Sequence, residues 1–142
     1  MYREALLGLN SSRVLGPSEL TAAVKLLAKE LGPAFEVKEE VYSSDGTPLS
    51  EGGIPSVSFS RSGATTSYLH TPGDQIDYLG PEPLAAQGQF IETFLQRYVA
   101  EARDFPFERK VPEEQQKRIR EYFEKRLRID YYAEEKKEQA SG

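Results

Sequence analysis

The chain has 142 residues, 38% of them hydrophobic and 29% charged, with a net charge of −5 and no cysteine. That length suits one domain with a real core, and the acidic balance argues against a general nucleic-acid surface, which needs a basic face. The lack of cysteine excludes disulfide frameworks, cysteine zinc sites and thiol nucleophiles.

In chain order, the apolar run near residues 4–10 is too short for a signal peptide and reads as a strand or a helix end. No stretch approaches the roughly 20 apolar residues that span a membrane, so no membrane partner is expected. With Met1 as the native start, a cytoplasmic location is the simplest expectation. "GPSELTAAVKLLAKELG" predicts an amphipathic helix. Pro17 suits its first turn, Ser18 is its expected cap, and Gly32-Pro33 stops it. Leu20, Val24, Leu27 and Leu31 fall on one face, with Lys25 and Lys29 away from it.

"FEVKEEVYSS" alternates apolar and charged residues and reads as a strand; "SDGTPLSEGG" reads as a loop; "IPSVSFSR" reads as a second strand around Val57 and Phe59. The long "SGATTSYLHTPGDQIDYLGPEP" has no helical period, and loops of that length in a compact domain are usually functional or disordered. A second helix is predicted from Pro83 to about Arg103, with Leu84, Ile91, Phe94, Leu95 and Tyr98 inward. The last segment is rich in Glu-to-basic pairs four apart, Glu113/Lys117, Glu114/Arg118, Glu121/Lys125 and Glu124/Arg128, which favour helix. Its narrow stripe of Ile119, Tyr122, Phe123, Leu127 and Ile129 fits a helix laid on the domain's edge, or one that docks on a partner or a second copy. The elements make an α/β arrangement with a thin sheet that suits the edge of a larger one. The expected division is an α/β region over 1–103 and a charged helical extension over 104–142.

Catalytic signatures are sparse. There is no Gly-x-Ser-x-Gly elbow, no phosphate-cradling glycine loop before a helix, and no His-Glu-x-x-His. Two segments carry chemistry. Asp45 in "YSSDGTPLSEGG" either starts a turn through its side chain or is a carboxylate at the C-terminal end of a strand, where α/β folds keep their sites. His70, the sole histidine, is either an ordinary loop residue or a metal ligand. Asp74 is either the acceptor of its second ring hydrogen or a turn residue after Pro72-Gly73.

Taken together, "SDGTPLSEGGIPSVSFSR" and, after a short gap, "HTPGDQIDYLGPEPL" with its helix resemble the C-terminal part of the co-catalytic di-zinc aminopeptidases. That family includes the secreted bacterial leucyl aminopeptidases and the protease-like domain of transferrin receptors. The likeness spans roughly residues 41–100 and implies the C-terminal half of a zinc exopeptidase-like fold, a partial three-layer sheet with flanking helices. It implies that His70 is a zinc ligand, that Asp74 and Asp77 are its motif companions, and that Asp45 is the Ser-Asp carboxylate near the site. The complete enzyme so implied binds zinc and removes N-terminal residues from peptide substrates, a zinc-bound hydroxide attacking the scissile carbonyl.

The chain also departs from that family. Its His-x-Asp group is absent, and Glu39-Glu40 come too late to be its Glu-Glu pair. "GLNSSRVLG" is a loose counterpart of its Leu-Asn-x-Asp strand, with Ser12 where the acid belongs. A catalytic zinc needs about three protein ligands, and a general base must take a proton from its water. The chain alone is therefore expected to bind no zinc tightly and to hydrolyse no peptide. The alternative is a noncatalytic peptidase-like module that binds a partner, or itself, through an open sheet edge or the helix near 112–135.

Overall fold

The computed structural model describes residues 8–32, 35–102, 104 and 106–131. Strand β1 (Leu9–Leu15) lies in the middle of a three-stranded sheet. It pairs in parallel with β2 (Phe35–Lys38) and antiparallel with β3 (Ser56–Ser62). Side chains alternate between the two faces of such a sheet, so Val14 and its direct partner Val57 share one face, while Leu15 and Ser56 share the other.

The first face is covered by α1 (Ser18–Leu31) and α3 (Pro81–Leu95). Leu20, Val24, Leu27, Ala28, Phe90 and Phe94 bury themselves against Val14, with Val37, Val57, Phe59, Tyr98 and Phe107 packed around them. Phe59 meets Phe90 and Phe94 edge-on, with ring centroids 5.8 and 5.9 Å apart. Each such side chain fully buried contributes about 1.5–3 kcal/mol of transfer free energy, so this cluster holds the sheet and the two long helices together. Arg97, in the π turn Gln96–Ala100 that prolongs α3, pairs with Glu30 near the end of α1.

The second face is covered by α2 (Gly46–Glu51) and α4 (Glu113–Tyr122), which touch each other as well. Leu15 joins Val111, Ile119 and Phe123 in a second buried cluster, flanked by Val41, Tyr122, Ile129 and Tyr131. A buried two-point clamp fastens α4 there. The side chain of Gln115 accepts from the Gly16 amide at 2.7 Å and donates to the Gly16 carbonyl at 3.1 Å. Gly16 sits at φ 152°, where an added Cβ would stand 2.8 Å from Pro55 Cβ. No side chain other than hydrogen fits that crossing. Helices on both sides of a sheet make a three-layer α/β arrangement, the partial fold expected from the sequence.

Several local expectations need correction. Ser18 does not cap α1: Pro17 holds the cap position, and the Ser18 hydroxyl bonds to Glu19 instead. The strand expected across "FEVKEEVYSS" stops at Lys38, leaving Glu39 and Glu40 in the following loop, where Glu40 pairs with Arg13. "SDGTPLSEGG" is not wholly loop, because its middle forms α2. In α3 the inward residues are Pro83, Phe90 and Phe94, whereas Leu84 and Leu95 face solvent. The stripe of α4 is largely used within the chain: Ile119 and Phe123 are buried, Tyr122 and Ile129 flank them, and Leu127 stays exposed. Two of the four-residue ion pairs form, Glu114–Arg118 at 3.6 Å and Glu121–Lys125 at 3.4 Å.

Candidate functional site

Both chemistry-bearing segments flank β3, one before it and one after. The first, around Asp45, is built on hydroxyl groups. The Ser44 carbonyl accepts the Thr47 amide at 3.1 Å, which closes the turn into α2. Fully buried Thr47 donates its hydroxyl to the Tyr42 carbonyl. Fully buried Ser50 donates to the Ile54 carbonyl at 3.0 Å and bonds to Ser56 Oγ at 2.8 Å. Ser44 and Ser58 hydroxyls meet at 2.8 Å, and so do Ser11 and Ser60 across the β1–β3 pair. Buried polar groups are tolerable only when hydrogen-bonded, and this serine network meets that demand while holding α2 on the sheet. Gly46 makes the close approach possible, since a Cβ there would stand 2.8 Å from Ser56 Oγ.

Asp45 itself is exposed and sits at the residue before α2 with no side-chain cap hydrogen bond. It lies seven residues beyond the last residue of β2, not at the strand's end. The turn it was expected to start through its side chain is closed by backbone alone.

The second segment runs from Gly63 to Gly80. It folds as successive single turns, with amides of Thr66, Leu69, Thr71, Asp74, Tyr78 and Leu79 each donating to the carbonyl three residues back. Two of these become 3-10 helices, Ala64–Tyr68 and Ile76–Tyr78. Tyr68 and Tyr78 stack across the loop, their rings 5.1 Å apart and 3° from parallel. The stack closes the segment on itself, with His70, Asp74 and Asp77 between its two ends. All three are exposed.

His70 adopts φ 62°. That left-handed conformation is uncommon for residues other than glycine, although histidine is among those that visit it more often. The Thr71 hydroxyl fixes the turn around it, donating to the Tyr68 carbonyl at 2.6 Å and accepting from the Gly73 amide at 3.2 Å. No hydrogen bond joins His70 to Asp74 among the described residues.

The donor set does not amount to a metal centre within this chain. Among the described residues, no three or more histidine, cysteine, aspartate or glutamate side chains come together to hold an ion. His70, Asp74, Asp77 and Asp45 are thus not gathered into one site. Ser12, in the strand expected to be a loose counterpart of the family's acid-bearing one, is fully buried beneath α1 and α3, and its hydroxyl has no hydrogen-bond partner among the described residues. A carboxylate placed there would be desolvated without compensation.

One concavity adjoins the loop. Gly8, the end of β3 at Arg61 and Ser62, Gly63, Thr65, Thr66, the Tyr78–Gly80 stretch and Leu84 line a half-open pocket of about 170 Å³. Arg61, on its wall, donates to Asn10 Oδ1 at 2.8 Å. Motif reading missed both this pocket and the Gln115 clamp. The pocket draws on residues far apart in sequence, and a lone glutamine in a charged helix gives no signal of burial.

Comparison with protein-family models matches residues 9–95 to peptidase family M28. Comparison with curated proteins and with solved structures returns no match. The matched span runs from β1 through α3 and includes the Asp45 segment, the Gly53-Ile54-Pro55 entry to β3 and the whole His70 loop. It covers more than half of the chain, and the chain belongs to peptidase family M28.

Proposed function

We propose that this chain is the C-terminal part of a zinc-dependent aminopeptidase and that it supplies one corner, His70, of a metal site whose other ligands lie elsewhere than in this chain. The observation that carries the reading is the ordered pair of segments, "SDGTPLSEGGIP" and "HTPGDQID", set on either side of β3 inside the family match. Exposure of His70 at the tip of a braced loop leaves its imidazole open to donors arriving from another segment or chain. Alone, with no second histidine and no gathered carboxylates among the described residues, the chain lacks the set of ligands and the general base that peptide hydrolysis of this type needs.

The test has two arms. After zinc loading and dialysis, the isolated chain should retain no stoichiometric zinc and should not cleave an unblocked leucyl peptide. About one tightly held zinc per chain, or per dimer, overturns the reading. A polypeptide carrying the His-x-Asp and Glu-Glu groups, joined to or mixed with this chain, should then restore zinc binding, and His70→Ala should abolish it. Zinc binding indifferent to His70→Ala assigns His70 no ligand role.

A second reading, a noncatalytic interaction module on the peptidase frame, is favoured by the lack of any gathered metal-binding group among the described residues. It predicts that no such added polypeptide produces His70-dependent zinc binding.

A further inference from the structure

The two edges of the sheet differ in how they are guarded. β2 is only four residues long and carries Glu36 and Lys38, which pair with each other, Glu36 pairing with Arg13 as well. Short length and charge are devices that keep an edge from pairing with another chain. β3 is seven residues long, reads Ser-Val-Ser-Phe-Ser-Arg-Ser, and holds a single charge near its end. Among the described residues it has one strand neighbour, β1, and the sheet stops there. Arg61 alone blunts it: there is no proline, no glycine and no acidic residue.

The order of residues in β3 also suits one occupant. The strand is nearly symmetric about Phe59. If a second copy pairs antiparallel about that residue, Phe59 faces Phe59, Ser58 faces Ser60, Ser56 faces Ser62, and Val57 faces Arg61. Like charges directly opposite each other destabilise antiparallel pairs, whereas aromatic pairs and serine pairs stabilise them. In this register the two arginines never meet. The β1–β3 pair already shows that serine opposite serine works here, with Ser11 and Ser60 bonded at 2.8 Å in an antiparallel register.

We propose that β3 is a self-association edge, at which two copies of this chain join antiparallel about Phe59 into a continuous six-stranded sheet. The dimer leaves the His70 loops at opposite ends of the joined strands. It therefore pairs two separate loops and does not build a shared site.

Two measurements on the full chain test this. Sedimentation equilibrium from the micromolar to the millimolar range should show the 16.0 kDa monomer mass doubling as concentration rises. The chain has no cysteine, so Ser62→Cys, at an exposed strand end, places one spin label per copy. In the proposed register the two labelled positions are six residues apart along paired strands, or about 20 Å at ~3.4 Å per residue. A dipolar distance near that value supports the proposal. A chain that stays monomeric throughout the range overturns it. So does a dimer whose labels lie much farther apart, as association through α4 and Leu127 would place them.

Discussion

The segment around Asp45 and the segment around His70 together carry the likeness to a peptidase, yet they are built in opposite ways. The first is tied into the protein. Thr47 and Ser50 are fully buried, and Ser44, Ser50, Ser56 and Ser58 form a hydrogen-bonded layer beneath α2. The second stands off the protein on its own turns, braced by the Tyr68–Tyr78 stack, with its histidine and both aspartates in solvent. The family match therefore spans one segment packed into the protein and one that lies exposed. Thr47 and Ser50 meet hydrogen-bond partners, whereas His70, Asp74 and Asp77 join no metal-binding group among the described residues.

That contrast is open to attack, most strongly from the packed side. Gly46→Val should destabilise the chain by about 1–3 kcal/mol, the usual range for overpacking, because its Cβ would stand 2.8 Å from Ser56 Oγ. A urea midpoint equal to that of the parent would show that α2 is not held against β3. Ser50→Ala should cost somewhat less, about 1 kcal/mol, because it leaves the Ile54 carbonyl and Ser56 hydroxyl short of a partner in a part-buried place.

On the loop side, His70→Gly should raise stability by up to about 1 kcal/mol, since glycine relieves the left-handed φ of 62°. A marked loss measured by thermal unfolding would instead mean that the imidazole packs. Asp74→Ala should shift stability by no more than about 0.5 kcal/mol, as exposed substitutions away from special features do. A larger change would erase the contrast between the two segments.

The smallest expected effect is an acid one. A hydrogen bond from the Lys38 ammonium holds the Glu36 carboxyl below its ordinary value, partial desolvation opposing it and the charges of Lys38 and Arg13 adding to it. A carboxylate depressed in the folded state contributes stability that is present above its unfolded pKa and lost as pH falls through the folded one. Glu36→Gln should therefore slightly lower stability near neutrality, with the difference from the parent fading as pH falls below about 4.3, the ordinary glutamate value. A parallel offset at every pH would point to packing.

The two motif segments were legible because their residue types and order survive without a structure. α1 was legible from the three- and four-residue steps of Leu20, Val24 and Leu27, all of which it buries, although Leu31, expected on the same face, is exposed and Thr21 and Ala28 are buried instead. β3 was legible from Val57 and Phe59, which pack on the core. α2 was hidden, because Ser-Asp-Gly-Thr-Pro has the composition of a turn. It becomes helical where the hydroxyls of Thr47 and Ser50 find carbonyls at Tyr42 and Ile54. β1 was obscure for a related reason: its middle, Asn-Ser-Ser-Arg, lacks the apolar alternation of a strand, although it is the centre of the sheet. In α3 the helical period was visible, but whether Leu84 or Phe90 turns inward depends on where Phe59 lies across the interface.

By itself, then, the sequence determined the class of fold, the likeness to a peptidase, and the scarcity of metal ligands, since each depends on which residues are present and in what order. Tertiary structure decided that Gln115 closes on Gly16 across ninety-nine residues, that Ser12 is buried, and that His70 stands exposed without donors gathered around it among the described residues. Those outcomes depend on which distant backbone and side chains share a face of the sheet, and local periodicity contains no record of that.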